Sequence, residues 1–138
     1  MATTIATMSL SSSDLLSDAL DFTTSTSLNK AGTATGVEHT SGLSRTKVNA
    51  TAKGSSATTL YTADDFAAIP YMYIKNTNTT AGNKIFVYDD TTSGDPIWLQ
   101  LDAGDWGFIP MHGDKTLRAY APNGSDPIIE WMVIGTDQ

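Results

Sequence analysis

Several residue types are missing or scarce in this chain, and their absence limits its chemistry. It contains no cysteine, which excludes disulfide bonds and thiolate metal sites. The chain has two histidines in 138 residues, which argues against a histidine-based metal centre or catalytic triad. No apolar run approaches the roughly 20 residues of a membrane-spanning helix, and residues 1–10 lack the pattern of a secretory signal. We therefore expect no cofactor and no membrane partner.

Aromatic residues are almost absent from the first sixty positions. Phe22 is the only one of the twelve that precedes position 60, while the same stretch contains 24 serine and threonine residues. Because aromatic side chains bury the most surface per residue, this stretch is not expected to build a core of its own. We therefore predict an N-terminal arm over residues 1–60 that packs on another surface, followed by a folded domain over residues 61–138.

Charged residues are scarce as well, at 17% of the chain, and the formal net charge is −7. Residues 61–138 carry all of this net negative charge, which argues against binding to nucleic-acid phosphates. Residues 22–60 are basic by contrast, with one acidic residue, Glu38, and four cations: Lys30, Arg45, Lys47 and Lys53. The basic segment is expected either to pack on an acidic surface, in this chain or a neighbouring copy, or only to aid solubility.

A short helix is predicted within the arm, over about residues 13–21. The serines at 11–13 provide hydroxyls for an N-cap, and Asp14 places negative charge in the first turn. Leu15, Leu16 and Leu20 then fall on one helical face. Because so short a helix is unstable in isolation, this face is expected to contact a partner, either the end of its own domain or another subunit.

The rest of the arm is rich in threonine and is predicted to be extended. Residues 23–28 and 43–48 suit half-exposed strands, but they carry too few apolar side chains to nucleate a sheet. We predict that they add to the edge of an existing sheet, in the manner of β-augmentation.

After position 60, short apolar runs recur at intervals of roughly 8–12 residues. They occupy residues 60–61, 71–75, 84–88, 97–101, 106–109, 117–121 and 128–134. Glycine, asparagine and aspartate stand between them as turn residues. Some runs alternate with period two, so Ile97, Leu99 and Leu101 are expected to share one face. The pattern predicts an all-β fold, an antiparallel β-sandwich of jelly-roll or Greek-key type.

The sequence shows no motif for catalysis. A nucleophile elbow and a Gly-rich phosphate loop are both absent, and most aspartates of the second half adjoin turn residues. Asp89, Asp90 and Asp95 are conceivable calcium ligands, but their spacing matches neither the EF-hand nor the nonapeptide repeat. A glycosidase would need two facing carboxylates about 5–9.5 Å apart. We expect a protein that is not an enzyme, with no catalytic residue, cofactor-binding residue or metal ligand.

Trp98, Trp106 and Tyr120 are candidates for stacking on sugars. Trp98 and Tyr120 oppose the apolar faces of their strands, so they are expected to point away from the core. This pattern favours a carbohydrate- or receptor-binding module as an alternative function. The opposing interpretation is that both faces of these strands are covered, which would make the three aromatic residues part of the core.

The second half contains a characteristic order of strand and turn motifs, in residues 73–80, 84–88 and 101–110, which ends with residues 116–121. In this order a strand ending in Asn-x-Thr leads to a second strand, and a Gly-Asp turn leads to an aromatic Phe-x-Pro strand. It resembles small virion structural proteins of tailed bacteriophages, especially those of marine and cyanobacterial hosts. The resemblance implies a capsid decoration, or cement, protein. Small tail, baseplate or fibre-associated proteins use similar sandwiches and are the alternative.

The resemblance also implies partners and a location. A cement protein of this kind would form a homo-oligomer, such as a trimer, on the major capsid protein or another virion protein at the capsid surface, with the tail as the alternative location. Its mechanism would be stabilisation of the assembled shell by selective binding. The residues expected to bind the partner are four apolar anchors and two charged residues: Leu15, Leu16, Leu20 and Phe22, with Arg45 and Lys47.

Overall fold

A computed structural model of the protein describes residues 3–14, 19–29, 36–37, 39–63, 65–91, 94–122 and 126–136. All regular elements in these ranges are β-strands, and all their pairings are antiparallel. The predicted all-β fold class is therefore confirmed. The chain divides into two compact units, Met1–Glu38 and His39–Gln138. The boundary drawn from the sequence, between residues 60 and 61, lies later in the chain.

The first unit is built on a long β-hairpin. Strand β1 (Thr4–Ser12) pairs with β2 (Leu20–Leu28) along its whole length, without a register shift. Threonine favours this extended conformation because its branched side chain suits a pleated surface. Val37 is bonded to the hairpin, since its N–H donates a 3.1 Å hydrogen bond to the Leu28 carbonyl and its own carbonyl accepts one from the Thr4 hydroxyl.

The helix predicted over about residues 13–21 is not seen. Leu20 and Asp21 are instead the first residues of β2, and Ser13 and Asp14 are not helical either. Leu15 and Leu16 lie outside the described residues. The physical reason is that nine residues form only a marginal helix, whereas the Ser/Thr-rich segments on both sides can pair over nine residues each.

The second unit contains the remaining nine strands. The two in the segment before position 48 are β3 (His39–Thr40) and β4 (Ser44–Lys47). The others fall on the apolar runs found in the sequence: β5 (Thr58–Tyr61), β6 (Ala67–Asn76), β7 (Ile85–Asp89), β8 (Ile97–Leu101), β9 (Trp106–Pro110), β10 (Leu117–Tyr120) and β11 (Ile128–Thr136).

These strands form two sheets that enclose one core. The four-stranded sheet has the order β5-β10-β7-β8, and the five-stranded sheet has the order β3-β11-β6-β9, with β4 also paired to β11. Buried side chains from both sheets meet in a single apolar cluster. The arrangement is therefore sandwich-like. Members of this cluster alternate along their strands, as Met72 and Ile74 do in β6 and Ile85 and Val87 do in β7.

Strand β11 is central, as its apolar composition indicates. It pairs with β6 on one side and with β3 and β4 on the other. Residues 39–60, assigned to the arm by sequence, thus contribute strands to the second unit. The described part of the chain contains no helix with the length and apolarity needed to span a membrane.

Candidate docking surface

One face of the N-terminal hairpin carries most of its apolar side chains, together with Thr4, Ser12, Thr24 and Thr26. Side chains alternate between the faces along each strand, and residues directly opposite each other in the register share a face. Leu10 lies opposite Phe22, Met8 opposite Thr24, and Ser12 opposite Leu20. We call one set of side chains the hairpin apolar face: Ala6, Met8, Leu10, Leu20 and Phe22.

Three of the five side chains of the hairpin apolar face are exposed, whereas Ala6 and Leu20 are partly buried. Met8 is 42% exposed, Leu10 46% and Phe22 45%. Fully burying a large apolar side chain contributes about 1.5–3 kcal/mol, so covering these three half-exposed groups would contribute roughly 3 kcal/mol. An isolated two-stranded hairpin is marginally stable in water. The hairpin apolar face is therefore the surface on the described part of this unit that gains most from a partner.

The opposite face of the hairpin is lined by hydroxyl groups. Thr7 and Ser25 share a 2.9 Å hydrogen bond between their side chains, and Ser9 and Thr23 share one of 3.1 Å. Ile5 also lies on this face, near the open end of the hairpin, and is 60% exposed. The hydroxyl pairs satisfy one another across the strands, so this face is suited to water rather than to an apolar partner.

Two of the predicted anchors lie on the hairpin apolar face, and two of its three exposed residues were not among the predicted ones. Leu20 and Phe22, predicted as anchors, do lie together on the hairpin apolar face, although on a strand rather than at a helix. Met8 and Leu10 were missed. Their place on one face of a strand could have been predicted, because Ala6, Met8 and Leu10 alternate with polar residues at the period of a strand.

Arg45 and Lys47, the predicted charge partners, lie on β4 in the second unit. The Arg45 guanidinium donates to Glu130 Oε2 from Nε and from Nη2, both at 3.2 Å. Lys47 Nζ lies 2.6 Å from Asp126 Oδ2. The pKa of Asp126 is held below its usual range, chiefly by the hydrogen bond from Lys47 and next by one from the Ala50 N–H. Both cations are therefore engaged within their own unit.

The three aromatic residues proposed for sugar stacking are not brought together. Tyr120 lies on the four-stranded sheet, where its ring stacks on Phe86 with centroids 5.3 Å apart. Trp106 lies on the five-stranded sheet opposite Lys75 and is 56% exposed. Trp98 packs against the core.

Trp98 owes its inward position to a β-bulge. The register between β7 and β8 shifts at Val87/Tyr88, so that Leu99 pairs with Val87 and Ile97 with Tyr88. The bulge turns Trp98 towards the core and leaves Ile97 exposed. The prediction that Ile97, Leu99 and Leu101 share one face was therefore wrong for Ile97.

The outer side of the five-stranded sheet carries an aromatic row that includes Tyr71, Tyr73 and Phe108. Tyr71 and Phe108 stack with centroids 5.7 Å apart and nearly parallel rings. The Tyr73 hydroxyl donates a 3.4 Å hydrogen bond to Glu130 Oε1. Burial, followed by the charge and hydrogen bond of Glu130, raises the pKa of Tyr73.

The conceivable calcium ligands each have protein partners. Asp89 is buried and accepts a 2.8 Å hydrogen bond from the Thr91 N–H. Asp90 pairs with Arg118 at 3.0 Å. Asp95 pairs with Lys53 at 3.6 Å. Across the described residues, no group of three or more His, Cys, Asp or Glu side chains is placed to hold a metal ion.

Comparison with protein-family models, with curated proteins and with solved structures found no match for this chain.

Proposed function

We propose that the protein is a non-enzymatic virion structural protein of a tailed bacteriophage, and specifically a capsid decoration (cement) protein that binds and stabilises the assembled shell. The observation that carries the proposal is the hairpin apolar face. A hairpin that exposes Met8, Leu10 and Phe22 on one side gains stability by associating with another surface. Association is thus the activity for which this geometry is suited.

The assignment to virions rests on the resemblance in residues 73–80, 84–88 and 101–110. These segments fall on the end of β6 and the residues after it, on β7, and on the end of β8, the turn that follows it and β9. In that turn Gly104 has a φ of 87°, a conformation that glycine adopts without a steric penalty. The proposal includes a jelly-roll or Greek-key sandwich, supported by successive strands β8, β9, β10 and β11 that alternate between the two sheets.

The proposed mechanism is mass action. A protein that binds the assembled shell, but not the separated capsid subunits, stabilises the shell by RT ln(1 + [L]/Kd), or about 2.7 kcal/mol at a hundredfold excess over Kd. The partners in this proposal are copies of the chain itself and the major capsid protein. The location is the capsid surface, with a tail, baseplate or fibre attachment site as the alternative.

Co-sedimentation with tailed-phage particles that lack the protein tests this function. We expect the full chain to sediment with the particles and to raise the temperature at which they release DNA. Phe22→Ser and Leu10→Ser should each weaken binding at least tenfold. Ile5→Ser is the matched control, because Ile5 is an exposed apolar residue of the same hairpin on the opposite face. Failure of the wild-type chain to bind any part of the particle would contradict the proposal.

A carbohydrate- or receptor-binding module is the second candidate, favoured by the exposure of Trp106 beside Lys75. An exposed indole next to a hydrogen-bond donor suits a sugar ring. Tryptophan fluorescence titrated with polysaccharide tests this alternative. A saturable change that is lost in Trp106→Ala but kept in Trp98→Phe would favour it over the structural role.

A further inference from the structure

We propose that separate copies of this chain associate through their N-terminal hairpins, with β1 of one copy pairing with β2 of the next and the hairpin apolar faces directed inward. This inference rests on the proposed function, since it names the partner that covers the hairpin. Three independent features of the hairpin support it: its open edges, the lack of charge on its apolar face and the small area of that face.

The edges of the hairpin are unprotected against pairing. Natural edge strands are commonly short, bulged, or blocked by lysine or proline. Here each strand is nine residues long, pairs without a register shift, and contains no Lys, Arg or Pro. Val37 bonds to the end of β2, but the pairings among the described residues add no third strand to this sheet. Asn29, just after β2, also forms an isolated antiparallel bridge with Gly36, so the edges that can accept another strand are that of β1 and that of β2 before Leu28.

The charge distribution favours a copy of the same chain. A protein with a net charge of −7 generally resists self-association through repulsion. The hairpin apolar face carries no charged residue, because Asp21 lies opposite Ser11 and therefore on the hydroxyl face. Two copies can meet here without placing like charges in contact. A strongly charged partner would find no opposite charge on this surface to select it.

The area of the face indicates how many copies are needed. Nine strand residues span about 30 Å and two strands are about 10 Å wide, so one face offers roughly 300 Å². A stable interface buries about 800 Å² on each partner. Two hairpins packed face to face therefore bury less area than a stable interface requires. In a closed ring, each apolar face contacts two neighbours and both edges are paired, and three copies form the smallest such ring.

The ring would also increase the affinity of the protein for the capsid. It would present several second units to the shell from one assembly, and linked binding sites raise the overall affinity without any new contact at each site. Weak contacts between one copy and the capsid lattice would then suffice for stable decoration.

Disulfide cross-linking tests the inward orientation, because the chain has no cysteine of its own. Met8→Cys should form disulfide-linked dimers at least tenfold faster than Ile5→Cys under mild oxidation. Random collisions predict the opposite order, since Ile5 is the more exposed side chain. Equal rates, or faster cross-linking at position 5, would overturn the inference.

Light scattering on the purified chain tests the number of copies. We expect a mass of at least three times the chain mass of 14.7 kDa, falling to one chain in Phe22→Ser and unchanged in Ile5→Ser. All three tryptophans lie in the second unit, so their fluorescence reports whether a variant remains folded. A wild-type monomer that still binds particles would overturn this inference and leave the proposed function intact. An oligomer that ignores particles would support the inference and contradict the proposed function.

Discussion

The Asn76 side chain donates a 3.2 Å hydrogen bond from Nδ2 to the Leu101 carbonyl, across the interior of the sandwich. Asn76 ends β6 in the five-stranded sheet, and Leu101 ends β8 in the four-stranded one. The same Nδ2 donates to the Asn83 carbonyl at 2.8 Å, and Oδ1 accepts from the Asn78 N–H at 3.1 Å. One fully buried amide thus joins both sheets and the turn between β6 and β7.

Replacing this amide should destabilise the second unit strongly. Asn76→Ala removes three hydrogen bonds to main-chain groups, of which the one to the Leu101 carbonyl is buried. A buried polar group that loses its partner costs about 1–3 kcal/mol. We expect a loss of about 2–4 kcal/mol in the free energy of unfolding, measured by urea denaturation. Asn78→Ala is the control, because Asn78 is only partly buried and its side chain accepts a hydrogen bond from Thr80. Equal effects of the two changes would refute a special role for Asn76.

Gly135 in β11 is expected to tolerate no side chain. A Cβ at this position would lie 2.9 Å from Phe66 Cδ1 and 3.1 Å from Pro70 Cβ, and the proline ring has little freedom to move. Overpacking of this kind costs about 1–3 kcal/mol, so Gly135→Ala should lower the melting temperature.

Gly107 in β9 provides the matched control for Gly135. An added Cβ there would meet no atom within 4 Å. Alanine also restricts the unfolded chain more than glycine does. Gly107→Ala should therefore be neutral or slightly stabilising by differential scanning calorimetry. A destabilisation as large as that of Gly135→Ala would show that steric contact is not the cause.

The ion pair between Lys47 and Asp126 should make stability depend on acid pH. The pKa of Asp126 is lowered in the folded protein, so its stabilisation is present above the unfolded-state value of about 3.9 and is lost as pH falls through the lower, folded value. Lys47→Gln should move this pKa back towards its usual value, as measured by NMR titration of the Asp126 carboxyl.

Salt and a second lysine provide the controls for Asp126. Because the pair is exposed, molar salt should raise the Asp126 pKa in the wild type by screening it. Lys84→Gln removes a lysine that pairs with Asp102 instead and should leave Asp126 unaffected. No response of the Asp126 titration to Lys47→Gln would mean that the pair does not persist in solution.

The Tyr73 hydroxyl should lose its proton at a higher pH than an ordinary tyrosine, because its pKa is raised. Its pKa is raised, so its contribution to stability is complete below the unfolded value of about 10 and is lost as pH rises through the folded value. Glu130→Gln removes the negative charge and should lower the Tyr73 pKa, leaving the part caused by burial. The measurement is NMR titration of the ring carbon that bears the hydroxyl.

Tyr120 is an internal reference in the same experiment. Its pKa is raised by burial and by Tyr88, without a contribution from Glu130. Glu130→Gln should therefore shift Tyr73 and leave Tyr120 in place. A common shift of both tyrosines would indicate a general change in the fold.

The strands of the second unit could be predicted because the periodicity of the sequence and the positions of the turn residues indicate the same strand boundaries. Runs such as residues 71–75 and 84–88 alternate or remain apolar over the length of a strand, and a polar residue, Asn76 or Asp89, follows each of them. Such local signals specify extended backbone regardless of which strand is the neighbour. The β-bulge that turns Trp98 inward could not be predicted, because it depends on the register between β7 and β8.

The hairpin shows the limit of local reasoning more clearly. Leu15, Leu16 and Leu20 have helical spacing, but Leu20 pairs with Ser12 in a strand. The choice between helix and strand at this position depends on a segment that precedes it in the chain. Pairing across the register supplies many hydrogen bonds at once, and a nine-residue helix cannot match them.

Composition and periodicity alone therefore determined the all-β class, the positions of the strands after residue 60, and the poverty of the N-terminal stretch in aromatic side chains. Only the tertiary structure decided which side chains of each strand are exposed and which residues form ion pairs. It placed Met8, Leu10 and Phe22 on one exposed face and engaged Arg45 and Lys47 in ion pairs within the second unit. The physical reason is that periodicity is local, whereas strand register and ion pairing join residues that are distant in the chain.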